Sequence, residues 1–134
     1  MKLIICDHKD IYTLDKNEYS LSHSYLSSDY DDFYKKDCQW MKVFDHELII
    51  GVICIKIDHI LLNSIHLCVL EVGKTYHHKG IGTRILSHFI EIYKDKEKIE
   101  FITLYIRSSD LEKFYSKFGF KKVIEESYLK LCIK

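Results

Sequence analysis

The residues best suited to chemistry lie in one short segment, residues 72–83, which holds three of the five glycines, two histidines and two lysines. Gly80 and Gly82 lie at the start of a predicted helix. Glycine lets backbone N–H groups turn toward one point, and a helix N-terminus favours a phosphate or pyrophosphate. The segment therefore predicts an anion-binding loop, with an ordinary strand-to-helix turn as the alternative. Its candidate ligands are His77, His78, Lys79, Gly80, Ile81, Gly82 and Thr83.

Two common phosphate-binding motifs come close to this segment and fail. A P-loop ending in Gly73-Lys74-Thr75 requires glycine at position 68, where the chain has Cys68. A dinucleotide-binding GxGxxG beginning at Gly80 requires a third glycine where the chain has Ile85, and consecutive βαβ units are also missing. Neither nucleotide-binding fold is predicted.

Hydrophobic periodicity places the loop between a strand and a helix. Residues 64–72 are apolar on both faces, as in a central strand covered on two sides. Residues 83–94 carry a helical apolar stripe, and a capping-box pattern at 109–112 begins a second helix that Gly119 ends. A weaker helical pattern covers 11–25, and the other predicted strands are 2–6, 39–44, 47–58, 101–106, 120–124 and 128–133. This order predicts an α/β fold in which helices flank a mixed, mostly antiparallel sheet.

Length and composition indicate one globular domain spanning residues 1–134, since 47% of the residues are hydrophobic and 30% charged. Twenty basic and 20 acidic residues give zero net charge, from which we expect no nucleic-acid partner. The charge is unevenly distributed along the chain. Residues 1–62 hold 7 basic and 11 acidic groups, whereas residues 63–134 hold 13 basic and 9 acidic groups.

The sequence also bears on compartment. It has no apolar segment of membrane-spanning length, its N-terminus lacks the pattern of a signal peptide, and its five cysteines are odd in number without CxxC spacing. We therefore expect a reduced, soluble, cytoplasmic protein with no membrane partner.

Two linked motifs resemble those of the GNAT acyltransferase superfamily. The segment 70–86, containing Tyr76-His77-His78-Lys79-Gly80-Ile81-Gly82-Thr83, resembles motif A, [QR]-x-x-G-x-[GA]. The segment 108–120, containing Phe114-Tyr115-Ser116-Lys117-Phe118-Gly119-Phe120, resembles motif B, N-x-x-A-x-x-x-Y-x-x-x-G-F. His77 stands at the Gln/Arg position of motif A and Ser108 at the Asn position of motif B. The resemblance covers residues 64–120 and implies a GNAT-like fold.

The resemblance implies acetyl-CoA, or another acyl-CoA, as co-substrate. The pyrophosphate would lie over the loop, which includes His77 and His78, with Ser108 as a further coenzyme contact. The pantetheine arm would pair with the backbone of Leu70, Glu71 and Val72, because a strand edge recognises amide groups without special side chains.

The resemblance also implies acyl transfer to an amine, assisted by a general acid and a general base. Each contributes about 10²–10⁴-fold. Tyr115 matches the motif B tyrosine that donates to the leaving thiolate; alternatively it packs in its helix's apolar stripe. His66 is the predicted base, with a buried structural histidine or water as alternatives. Strict alternation puts His66, Cys68 and Leu70 on one face, with the fallback base Glu71 opposite.

The acceptor is less defined than the coenzyme. The predicted acceptors are a small-molecule amine, a peptide N-terminus or lysine, and an amino sugar. An acidic, aromatic cluster is a candidate contact for a cationic amine, or an ordinary solvated surface; it comprises Asp29, Tyr30, Asp31, Asp32, Phe33, Tyr34, Asp37 and Trp40.

Other readings of the sequence stay open. One is a GNAT-fold protein that binds coenzyme A without catalysis, and another is an unrelated anion-binding domain. The sheet edges near the C-terminus suggest a possible homodimer. Two pairs, His66 with Cys68 and His77 with His78, lack further ligands at zinc spacing, so no metal site is predicted.

Overall fold

A computed structural model describes residues 1–27 and 38–134. The strands are β1 Lys2–Cys6, β2 Cys38–Asp45, β3 Leu48–Ile57, β4 Ser64–Val72, β5 Phe101–Tyr105, β6 Lys121–Lys122 and β7 Tyr128–Cys132. The helices are α1 His8–Tyr12, α2 Ser20–Ser27, α3 Ile81–Lys94 and α4 Ser109–Ser116, with a 3₁₀ turn at Lys74–Tyr76.

The strands form one seven-stranded sheet in the order β1-β2-β3-β4-β5-β7-β6. Every neighbouring pair is antiparallel except β4 and β5, which are parallel and joined through α3. The predicted mixed, mostly antiparallel sheet with flanking helices is confirmed. No helix within the described residues is long and apolar enough to cross a membrane.

Several predicted boundaries differ from the structure. The helical pattern at 11–25 is two helices, because α1 ends at Tyr12 and the chain turns before α2 begins at Ser20. The strand predicted at 120–124 shortens to β6, and Glu125 at φ +67° begins the turn into β7. The strand predicted at 64–72 matches β4.

Each face of the sheet carries its own core. The larger core lies under α3 and α4 and is centred on side chains such as Ile53, Leu86 and Phe89. The smaller core lies under α1 and includes Ile11, Trp40 and Cys54. Helices therefore cover both faces, which explains why β4 is apolar throughout.

One extra residue interrupts the register of β4. Its neighbour β3 pairs Cys54 with Val69 and Ile55 with Leu67, so Cys68 has no opposite residue and forms a bulge. A bulge bends its strand and increases the local twist. On the other edge of β4, the parallel ladder with β5 ends at the pair His66–Thr103. Beyond this point β4 and β5 diverge and leave an opening in the sheet.

Candidate active site

The loop after β4 ends in an uncapped helix N-terminus. Gly80 is the N-cap of α3 with φ +73°, a left-handed conformation that favours glycine, and no side chain caps this end. The first intrahelical bond runs from the Arg84 N–H to the Gly80 carbonyl, 3.2 Å away. The N–H groups of the preceding three residues, 81–83, therefore point out of the helix without a ladder partner. This is the geometry that binds phosphate groups.

A cavity of about 580 Å³ lies in front of this helix N-terminus. Its wall includes the end of β4, the loop and one face of α4. The sequence-predicted residues among its lining are Leu70, Glu71, Val72, His77, His78, Gly80, Ile81, Gly82 and Thr83. The structure thus brings together all of the predicted coenzyme contacts except Lys79 and Ser108.

The side chains of His77, His78 and Lys79 have different surroundings in the loop. His77 turns back onto the strand, where its Nε2 lies 2.8 Å from the Val72 carbonyl oxygen. This contact ties the loop to the end of β4, and His77 also lines the cavity. His78 adopts φ +62° and lines the cavity, whereas Lys79 is exposed beside it.

Ser108 has a structural role at the start of α4. Its Oγ accepts a hydrogen bond from the Leu111 N–H at 3.2 Å and caps α4. An N-cap serine satisfies one of the helix's unpaired donors. Ser108 does not line either cavity described here.

A second cavity, of about 110 Å³, occupies the opening between β4 and β5. It shares Leu21, Leu70 and Leu111 with the first cavity, so the two cavities are adjacent. Its remaining lining is Leu67, Cys68, Val69, Leu104, Tyr105, Arg107 and Tyr115. A ligand can therefore extend from the helix N-terminus to Tyr115.

Tyr115 lies in the wall of this cavity and is 9% exposed. Its ring makes edge contacts with Phe114 and Phe120. Burial raises the pKa of Tyr115 to about 12, and the positive charge of Arg107 opposes part of that rise. The ring packs against the core, as the packing alternative predicted, and Tyr115 also lines the cavity; its role as an acid stays a prediction.

Arg107 was not singled out by the sequence analysis. It lies in the loop between β5 and α4 and lines the cavity with Tyr115. Burial lowers its pKa from the usual arginine value, but an arginine remains protonated at neutral pH. No local sequence pattern indicates Arg107 as a site residue. It reaches the cavity because β4 and β5 diverge.

His66 is buried beside the cavity and does not line it. It is 2% exposed, its Nδ1 lies 2.9 Å from Thr103 Oγ1, and its ring contacts those of His59 and Tyr105. Burial lowers the pKa of His66 to about 4, with a smaller contribution from His59. Tyr105 separates His66 from the cavity, so this geometry does not favour His66 as the direct base.

The expected arrangement of faces along β4 is wrong. Because Cys68 is an extra residue, the alternation of side chains between the two faces of the sheet shifts by one residue at this position. Cys68 and Val69 both belong to the smaller core, Leu70 packs against the larger core, and Glu71 faces α2. Leu70 and not Glu71 is therefore on the opposite side from Cys68.

Glu71 is a structural anchor and not an available base. Its Oε2 accepts from the Leu21 N–H at 3.0 Å, and its Oε1 accepts from the Ser22 N–H at 2.9 Å. Both carboxylate oxygens thus hold the first turn of α2 beside the cavity, where a negative charge is favourable.

The proposed acceptor cluster lies mostly outside the described residues. Those outside are Asp29, Tyr30, Asp31, Asp32, Phe33, Tyr34 and Asp37. The remaining member, Trp40, is 1% exposed in the smaller core and is not an acceptor contact.

Comparison with known proteins decides the family. The acetyltransferase (GNAT) family profile matches residues 8–120, which is most of the chain. The chain belongs to the GNAT acetyltransferase family. This GNAT chain is also 30% identical over 80 residues to N-alpha-acetyltransferase 50 of Danio rerio. That match covers 57% of this chain and 47% of the relative, so the chain spans about half of that protein's length.

Solved structures share the whole fold at low sequence identity. The GNAT chain aligns with a structure of the AtaT–AtaR complex bound to DNA at a TM-score of 0.72 and 15% identity, over 99% of this chain and 95% of that one. It aligns with the PaiA N-acetyltransferase of Thermoplasma acidophilum in complex with coenzyme A at a TM-score of 0.64 and 24% identity. That alignment covers 98% of this chain and 99% of the other.

One expectation about partners is wrong. Zero net charge predicts no nucleic-acid partner, yet a protein of this fold occurs in a complex with a second protein and DNA. Net charge sums over the whole chain and does not describe local surface patches or a partner that contacts nucleic acid. For a GNAT chain it therefore excludes neither nucleic-acid nor protein partners.

Proposed function

We propose that residues 1–134 act as one N-acetyltransferase domain that transfers the acetyl group of acetyl-CoA to a primary amine. The observation that carries the proposal is that two adjacent cavities share the lining residues Leu21, Leu70 and Leu111. Together they reach from the N-terminus of α3 to the buried Tyr115. Membership of the GNAT family supports acetyl transfer as the chemistry.

Each part of the two cavities suits one part of the coenzyme. The N–H groups of residues 81–83 would donate hydrogen bonds to the pyrophosphate, because they lack an intrahelical acceptor and lie at the positive end of α3. The edge of β4 from 67 to 72 does not pair with β5, so its backbone groups would bind the amides of the pantetheine arm. The thioester would then reach the smaller cavity.

Tyr115 would assist departure of the coenzyme thiolate as a hydrogen-bond donor. A phenol with a pKa of about 12 is a much weaker acid than a thiol, whose pKa is about 8.5, so complete proton transfer to sulfur is unfavourable. A neutral O–H donating to a developing thiolate still stabilises the transition state. Arg107 adds positive charge to the same cavity.

The attacking amine must lose a proton, since an alkylamine with a pKa of about 10.4 is mostly charged at pH 7. We assign this proton to water in the cavity, because Glu71 is fully engaged and His66 lies behind Tyr105. Similarity to N-alpha-acetyltransferase 50 supports a peptide α-amine as the first acceptor class to test.

Coenzyme binding is tested by thermal denaturation with acetyl-CoA, coenzyme A and ATP. A ligand at 100 times its Kd stabilises the folded state by about 2.7 kcal/mol. Both coenzyme species should raise the Tm and ATP should not, because ATP lacks the pantetheine arm. Absence of a shift with both coenzyme species would contradict the proposal.

Catalysis is then tested with a panel of peptides, alkylamines and amino sugars. The acetylated product should be measured by mass spectrometry, because the five cysteines of the chain would react with a thiol reagent. Binding without acetylation of any acceptor would favour the coenzyme-binding module over the enzyme.

A further inference from the structure

Three cysteines far apart in sequence meet on one face of the sheet. Cys38 begins β2, Cys54 lies in β3, and Cys68 is the bulged residue of β4. Their three Sγ atoms all lie within 4.8 Å of one another. We call Cys38, Cys54 and Cys68 the thiol triad. We propose that the thiol triad is a metal site, in which three thiolates bind one thiophilic d10 ion, Cu(I) or Zn(II).

The distances suit such an ion. A metal–sulfur bond of about 2.3 Å in a trigonal site places the sulfurs about 4.0 Å apart. The observed upper limit of 4.8 Å therefore needs a movement of less than about 1 Å at each sulfur. Cys38 is half-buried at the end of its strand, so its side chain can provide that movement.

The environment favours a soft cation. Cys54 is fully buried and Cys68 is 8% exposed, among the apolar side chains of the smaller core. A bound metal replaces the protons of the thiols that coordinate it.

The binding step balances without an oxidant. One Cu(I) displaces three protons from three thiols and forms three Cu–S bonds, with no change in oxidation state. The resulting complex is anionic, and the positive charge of Lys56, which acts to lower the pKa of Cys68, partly offsets it.

The number of ligands favours Cu(I) over Zn(II). Among the residues that the structure describes, no histidine, cysteine or carboxylate joins the triad as a fourth ligand. Structural zinc usually has four ligands, whereas thiolate-rich sites select Cu(I). Bound zinc would complete its coordination with water from the adjoining cavity, which Cys68 lines.

The test is anaerobic titration of the full chain with Cu(I) supplied as its bathocuproine disulfonate complex, and in a second arm with Zn(II). One ion per chain is expected. Cys38→Ser should weaken binding at least tenfold, and Cys68→Ser provides a second variant in case Cys38→Ser does not fold. Cys6→Ser and Cys132→Ser are matched controls that remove the two cysteines outside the triad.

X-ray absorption of the loaded protein should show three sulfur neighbours at about 2.3 Å. The titration in which binding is seen identifies the ion. Binding of either Cu(I) or Zn(II) supports the site if the triad variants lose that binding. The proposal is overturned if neither ion binds, or if the triad variants and the controls bind equally. A loss of two thiols on purification without reductant, with no metal retained, would assign the triad to a disulfide and also overturn it.

Discussion

The buried phenol of Tyr115 is a weak acid, and this limits how it can assist acyl transfer. Its pKa of about 12 keeps the hydroxyl protonated at every pH at which the protein would work. The group can therefore donate a hydrogen bond to a leaving sulfur throughout that range. Its ionisation should leave no limb in a pH–rate profile below about pH 11.

Tyr115→Phe should lower kcat by about 10²-fold or more and leave the Kd for coenzyme A nearly unchanged. The change removes the donor and keeps the ring contacts with Phe114 and Phe120. Turnover measured by mass spectrometry and Kd measured by calorimetry separate the two effects. Tyr93→Phe, which changes a half-buried tyrosine on α3, is the control. Equal turnover in both variants would remove Tyr115 from the mechanism.

His66 makes stability dependent on pH. Its folded-state pKa of about 4 lies below the ordinary value of 6.5, so the unfolded chain binds more protons between these values. The contribution is complete above pH 6.5 and is lost as the pH falls through 4. Its upper limit is about 3 kcal/mol.

His66→Gln should therefore flatten the pH dependence of the unfolding free energy between pH 7 and pH 4.5. Glutamine keeps a hydrogen bond with Thr103 within reach and does not titrate. Urea midpoints at several pH values give the measurement. His46→Asn is the matched control, because the His46 side chain is 94% exposed and asparagine tolerates its φ of +57°. Parallel pH curves for wild type and His66→Gln would contradict the assignment.

At the scale of elements, the start of α3 separates a folding role from a binding role. Both Gly80 and Gly82 line the cavity, and Gly80 also has a left-handed backbone that favours glycine. A Cβ at Gly82 would lie 3.6 Å from Val72 Cγ2 and 3.8 Å from Phe114 Cζ, which are ordinary contacts. The fold therefore accepts alanine at position 82, and the cavity becomes narrower.

Gly82→Ala should weaken coenzyme A binding by about tenfold without loss of stability. Gly80→Ala should cost about 1–2 kcal/mol of folding free energy, because alanine is strained at positive φ. Calorimetric titration and chemical denaturation of both variants provide the comparison. If Gly82→Ala destabilised the fold more than Gly80→Ala, the two glycines would have the opposite roles.

The Glu71 side chain holds the first turn of α2. Glu71→Gln should cost about 1–3 kcal/mol, because one charged acceptor of two backbone N–H groups is replaced by an amide. Denaturant unfolding measures this cost. Glu91→Gln, on the exposed face of α3, should change stability by less than about 0.5 kcal/mol. Similar effects of the two changes would show that Glu71 does not anchor α2.

The elements were more predictable than their fine geometry. Apolar periodicity and the capping pattern defined β4, α3 and α4 to within two or three residues. The bulge at Cys68 has no local sequence signal, and it changed which side chains reach the site. Arg107 and the thiol triad also have no local sequence signal. The cysteines of the triad are 16 and 14 positions apart in the chain, so they meet only when β2, β3 and β4 pair.

At the scale of the whole molecule, the sheet consists of two parts joined by a short parallel ladder. Strands β1 to β4 form one part and β5, β7 and β6 the other. Only three residue pairs, from Ser64–Phe101 to His66–Thr103, connect them. A coenzyme in the opening would contact both parts and add to that connection.

Saturating acetyl-CoA should therefore slow amide hydrogen exchange at 67–72 and in α4, where the two cavities meet. Exchange in the β2–β3 turn, far from the opening, should not change and serves as an internal control. Mass spectrometry of peptic fragments resolves these regions. Uniform protection across the chain would indicate global stabilisation without a bridging ligand.

The bulge at Cys68 also has a consequence for how relatives are compared. A protein of this family that lacks the extra residue has the opposite parity along the second half of β4. A carboxylate aligned with Glu71 would then face the other side of the sheet and could not hold α2 in the same way. Transferring a residue's role between such proteins by alignment column is valid only after the residues in this strand have been counted.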